Sequence, residues 1–106
     1  MAGRVAHRLQ ELGINLPDAP KPVANYVPFV ITGNLVFISG QVSAVGAEKF
    51  IGKVGSDVDI DHALKAARAC ALAILGQLNA ALEGNLDRVT RCVKLGGFVN
   101  CSPDFD

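Results

Sequence analysis

Phe29-Val30-Ile31-Thr32-Gly33-Asn34-Leu35-Val36-Phe37-Ile38-Ser39-Gly40-Gln41 is the stretch on which the fold turns. Two β-rich runs flank a Gly-Asn dipeptide, and tolerance of positive φ there suits a two-residue hairpin turn. The pattern predicts antiparallel strands over residues 27–32 and 35–40. Both alternating sets along them are apolar. Val27, Phe29 and Ile31 fall on one face and Val30 on the other; Leu35 and Phe37 then oppose Val36 and Ile38. A sheet that is apolar on both faces needs cover on both.

Upstream, Val5, Leu9 and Leu12 recur at helical spacing with Gly13 just beyond, which predicts a short amphipathic helix over residues 4–12. Leu16-Pro17-Asp18-Ala19-Pro20-Lys21-Pro22 carries three prolines and reads as an extended arm rather than a domain boundary.

Downstream, residues 44–56 are glycine-rich, with a short strand expected around Phe50 to Val54. Gly52-Lys53 invites a phosphate-loop reading. Gly46 lies one residue too far upstream for it, however, and Val54 stands where a metal-binding hydroxyl is needed. A hairpin connection fits better. Asp59 as N-cap, Asp61 in the first turn and Gly84 near the C-cap bracket a helix of about 24 residues, roughly 36 Å long. Its buried stripe is expected to be Leu64, Ala67, Ala71, Ile74, Leu75, Leu78 and Leu82, with Lys65, Arg68, Gln77 and Asn79 mainly on other faces. Arg68 is expected to be a solvated or ion-paired surface residue rather than a ligand-binding one.

After a Gly-Asn-Leu-Asp turn, residues 89–99 predict a further strand, with Val93, Leu95 and Val99 on one side. Ser102, Pro103, Asp104 and Asp106 then read as the first turn of a second helix. The order predicts one α+β domain spanning residues 1–106. A single long helix covers one sheet face, so a second subunit is expected to cover the other.

Composition narrows the function. Ten basic and ten acidic side chains cancel, and Arg88, Arg91 and Lys94 are flanked by Glu83 and Asp87, so no nucleic-acid partner is expected. Cys70, Cys92 and Cys101 are widely spaced and form no Cys-x-x-Cys pair, which indicates neither a disulfide framework nor a zinc knuckle. A reducing, cytoplasmic setting is the simplest reading. The Asn100-Cys101-Ser102 sequon reads as chance because the N-terminus has no signal-peptide pattern. No apolar run reaches the roughly 18 residues of a membrane span, so no membrane partner is expected.

Several motifs in order resemble the Rid/YjgF family. They are Asn25-Tyr26-Val27-Pro28, the strand ending in Ser39-Gly40-Gln41, Gly52-Lys53-Val54-Gly55, Ala66-Ala67-Arg68, Leu86-Asp87-Arg88-Val89, Gly97-Phe98-Val99-Asn100 and Pro103-Asp104-Phe105. With the leading helix they resemble its longer subgroup, labelled L-PSP endoribonuclease or chorismate-mutase-like. The resemblance implies a chorismate-mutase-like (ferredoxin-like) subunit: a mixed sheet with a long helix on one face, three copies closing a sheet-lined barrel. It also implies a cleft at each subunit interface that takes a small carboxylate-bearing metabolite.

In the family's deaminating members that cleft hydrolyses enamine or imine acids such as 2-aminoacrylate to a keto acid and ammonia. By position Tyr26 would line the cleft, and the backbone at Ser39 and Gly40 would hold the acid. The resemblance puts the family's carboxylate-binding arginine beyond the position of Asp106, so no catalytic residue is assigned within the chain, and the last part of the family domain is expected to lie outside it. No cofactor and no metal are implied. The alternative is a non-catalytic metabolite-binding or regulatory trimer. The ribonuclease reading is disfavoured: of the only histidines, His7 lies on the short helix and His62 at the start of the long one, and His62 is expected to be exposed.

Overall fold

The computed structural model describes residues 3–19, 25–45 and 48–105. Helix α1 (Arg4–Glu11) ends in a Schellman motif: Ile14 N–H reaches Leu9 O at 2.9 Å, Gly13 N–H reaches Gln10 O at 3.1 Å, and Gly13 takes φ +68°. Strands β1 (Phe29–Thr32) and β2 (Leu35–Ile38) form the predicted hairpin, with Phe29 opposite Ile38 and Thr32 opposite Leu35. Gly33 sits at φ +57° and Asn34 is not on the positive side, so only the first turn position uses glycine's freedom, as in a type II′ turn.

The register decides the faces. Phe29, Val36 and Ile38 share the half-buried face that meets the long helix, and Val30, Leu35 and Phe37 lie on the other. That second face is open, with Phe37 57% exposed.

The glycine-rich stretch pairs earlier than predicted. β3 (Ala44–Val45) faces β4 (Glu48–Lys49), and Phe50 and Ser43 extend the pairing through Phe50 N–H to Ser43 O at 2.8 Å. Instead of the expected strand over 50–54, residues 53–58 form a knot. Lys53 O accepts from Ser56, Asp57 and Val58, and the Asp57 carboxylate accepts from Lys53 N–H at 2.6 Å. Those amides turn inward, so no phosphate cradle exists around Lys53; Gly46 lies outside the described residues. Val54, buried, makes parallel bridges to Val58 and Cys101.

Helix α2 (Ile60–Ala81) starts as predicted, with the Asp59 side chain accepting from His62 N–H at 2.8 Å. Its buried face corrects the predicted stripe. Ala69, Ala73, Gly76 and Gln77 are buried, whereas Leu64 is 63% exposed and Ala67 and Ala71 are exposed; Ile74, Leu75 and Leu78 are half-buried, and Leu82, at the cap, is buried. Close approach favours the smallest residues: Pro17 O passes 2.7 Å from where a Cβ on Gly76 would stand. Counting large apolar side chains misplaces a face selected by steric clearance.

The helix caps two residues before the expected Gly84. Leu82 is the cap, Glu83 (φ +54°) and Gly84 (φ +84°) both take positive φ after it, and Gly84 N–H closes on Asn79 O at 2.8 Å. A 3₁₀ turn, η1 (Leu86–Arg88), follows.

The predicted strand over residues 89–99 is absent. The segment contains no ladder and is exposed throughout, Phe98 being 102% exposed. Alternation and β-branching favour a strand only where a neighbouring edge supplies hydrogen bonds, and the described strands offer this segment none. At 102–105 there is one turn, Phe105 N–H to Ser102 O at 3.1 Å. The described strands therefore form separate two-stranded antiparallel ladders instead of the expected continuous mixed sheet.

Candidate functional site

The open end of the β1–β2 hairpin gathers the three residues singled out from sequence. Residues Val27 and Pro28 run alongside the end of β2. Ser39 N–H donates to Pro28 O at 2.9 Å, and the Ser39 hydroxyl donates to Val27 O at 2.5 Å. Tyr26 precedes this crossing and is 41% exposed. Gly40 follows it, and no atom lies within 4 Å of where its Cβ would stand.

Donors are available there. Among the described residues the N–H groups of Gly40 and Gln41 have no hydrogen-bond partner in the chain. The Ser39 hydroxyl proton is already committed to Val27 O, so Ser39 anchors the crossing rather than offering a free nucleophile.

Gln41, part of the Ser-Gly-Gln motif but given no site role from sequence, organises the corner. Its side-chain amide donates to Ser39 O at 2.8 Å, and its own carbonyl faces Cys70 Sγ on α2 at 3.8 Å. Burial pushes the Cys70 thiol above its usual range, so it remains protonated at neutral pH. Cys70 packs the corner against α2 and supplies no thiolate.

His62 corrects the expectation of an exposed residue. Its ring meets Phe50 edge-on at 5.3 Å and 72°, and its Nε2 is buried with no hydrogen-bond partner among the described residues. His7 lies at 3.8 Å from Glu11 on the exposed face of α1. α1 meets η1, beyond the C-terminus of α2, whereas His62 is in the first turn of a helix about 33 Å long. The two histidines of one chain are therefore far apart.

Among the described residues no cluster of three or more His, Cys, Asp or Glu could hold a metal, and no helix is long and apolar enough to cross a membrane. Arg68, Arg88, Arg91 and Lys94 are exposed.

A sequence profile of the family described as endoribonuclease L-PSP matches residues 16–106. The chain belongs to that family, also known as YjgF/Rid. Protein TCP17 of Trypanosoma cruzi is 48% identical over 106 residues, which is 98% of this chain and 65% of that protein. Atu1372 of Agrobacterium tumefaciens, a solved structure of unknown function, superposes with a TM-score of 0.83 at 48% identity, over 94% of this chain and 61% of that one. A Shewanella oneidensis structure named as a candidate endoribonuclease gives a TM-score of 0.67 at 28% identity, over 73% of this chain and 52% of that one. The chain thus spans less than two-thirds of the length of these L-PSP relatives. The small α+β arrangement of two helices and an antiparallel hairpin agrees with the family fold.

Proposed function

We propose that this L-PSP family chain forms one wall of a cleft, between copies of itself, that takes small 2-imino or 2-enamino carboxylic acids of the 2-aminoacrylate type. An enamine first takes a proton on its β-carbon to become the imine; water adds to the C=N carbon, the C–N bond breaks, and a keto acid and ammonia leave. The supporting observation is the hairpin corner: two consecutive amide donors, at Gly40 and Gln41, beside open space and next to Tyr26. Such a corner suits a carboxylate or the oxygen of a hydrated imine. The reaction also needs a fixed cation and a placed water. In this reading the cation comes from outside residues 1–106, and these residues are assigned the wall and the amide donors only.

The open sheet face supports assembly into a trimer. Val30, Leu35 and Phe37 form an apolar surface on the uncovered side of the hairpin, and a copy docked there would bury it.

Ammonia release from a 2-imino acid generated in situ, measured with and without the protein, tests the reading. Acceleration is expected where the fixed cation accompanies these residues, and Gly40→Val, whose Cβ would meet no protein atom within 4 Å, should remove it. Saturable binding of the keto acid without acceleration would support a metabolite-binding trimer instead. Neither binding nor acceleration would contradict both.

A further inference from the structure

Helix α1 has no cap of its own. Its N-cap is Gly3, and no acidic side chain stands in its first turn. The missing acceptor comes from 83 residues away: Asp87 on η1 takes Arg4 N–H on Oδ2 at 2.7 Å and Val5 N–H on Oδ1 at 2.8 Å. Gly3 makes room for this, since a Cβ there would stand 2.5 Å from Asp87 Oδ2.

A second close approach holds the other end. The connector crosses α2 where Pro17 O lies 2.7 Å from the Cβ position of Gly76. Between these points the segment makes only light contact. No residue of α1 is buried, and the recess beneath it, lined by Ala6, Leu9, Asn79 and Leu86, holds about 40 Å³, enough for a water or two but not for a metabolite. An eight-residue helix is marginal by itself in water, so α1 exists because its ends are held.

We propose that residues 3–17 form a releasable strap over the C-terminal end of α2 and η1, fastened by Asp87 on the first amides of α1 and by Pro17 on Gly76, and opening as one unit. Opening uncovers Leu86 and frees η1, which leads into the extended segment from residue 89. The inference does not depend on the chemistry proposed for the hairpin corner.

Hydrogen exchange resolved by residue tests it. In Asp87→Ala the amides of His7, Leu12 and Ile14, protected by helical and capping bonds, should exchange about tenfold faster, while Ala63 and Leu82 on α2 keep their protection. Gly76→Ala, at the opposite fastening, should accelerate the same amides because the strap opens as a whole. Gly3→Ala tests the Asp87 end independently should Gly76→Ala fail to fold. Unchanged exchange at His7 and Leu12 in these variants, or loss of α2 protection in step with α1, would overturn the proposal.

Discussion

Glu83 holds a backbone conformation that favours glycine, φ +54°, directly after the α2 cap. A side chain in the left-handed region costs roughly 1–2 kcal/mol, partly offset in a glycine variant by the larger entropy of its unfolded chain. Glu83→Gly should therefore stabilise the protein by less than about 1 kcal/mol and raise the melting temperature by a few degrees; calorimetry checks the sign. Asp87 gives a second prediction at this scale. Its hydrogen bonds from Val5 and Arg4, with the Arg4 charge nearby, lower its carboxyl below the ordinary aspartate value. A depressed folded value means that the stabilisation is present above the unfolded value, near 3.9, and is lost as pH falls through the folded one. The amide resonances of Arg4 and Val5 should stay constant from neutral pH to about 5 and move only in the acid range. In Asp87→Asn that acid-range movement should vanish. Asp87 was not legible in the sequence as a cap, because nothing local links it to Gly3. The faint signal was a helix start with glycine where an oxygen-bearing side chain is usual.

At the scale of elements, the buried face of α2 separates what pattern can read from what contact decides. Ala69 and Ala73 are buried and Leu64 is exposed. Ala73→Leu should cost about 1–3 kcal/mol through overpacking, and Leu64→Ala should stay within about 0.5 kcal/mol; denaturant midpoints compare them. The reverse order would restore the stripe expected from sequence. Asp59→Ala should cost about 1 kcal/mol, because His62 N–H loses its acceptor. The hairpin, both helices and the Asp59 cap were legible because each rests on local chemistry: a Gly-Asn turn, 3.6-residue spacing, a capping carboxylate. The strand over 89–99 was not, since a strand exists only with its neighbour. The same division holds at the candidate site. Tyr26, Ser39 and Gly40 were legible as a motif, whereas Gln41 bonding to Ser39 and the Cys70 thiol beneath needed the crossing of β2 over α2 to bring them together.

At the scale of the whole molecule, the radius of gyration is 15.1 Å, against about 13 Å for a compact domain of this length. The exposed segment from residue 89 to 100 and the open hairpin face both leave large apolar side chains in water. Our account places copies of the chain against that hairpin face, with the Tyr26–Gly40 corner at the seam. Phe37 stands near the middle of the face and is the residue whose charge would matter most.

Sedimentation equilibrium of the wild-type chain and of Phe37→Asp measures this directly. The account predicts that the wild type sediments as a trimer and that the aspartate variant, still helical by circular dichroism, sediments as a monomer. A wild-type chain that stays folded and monomeric at high concentration would contradict it.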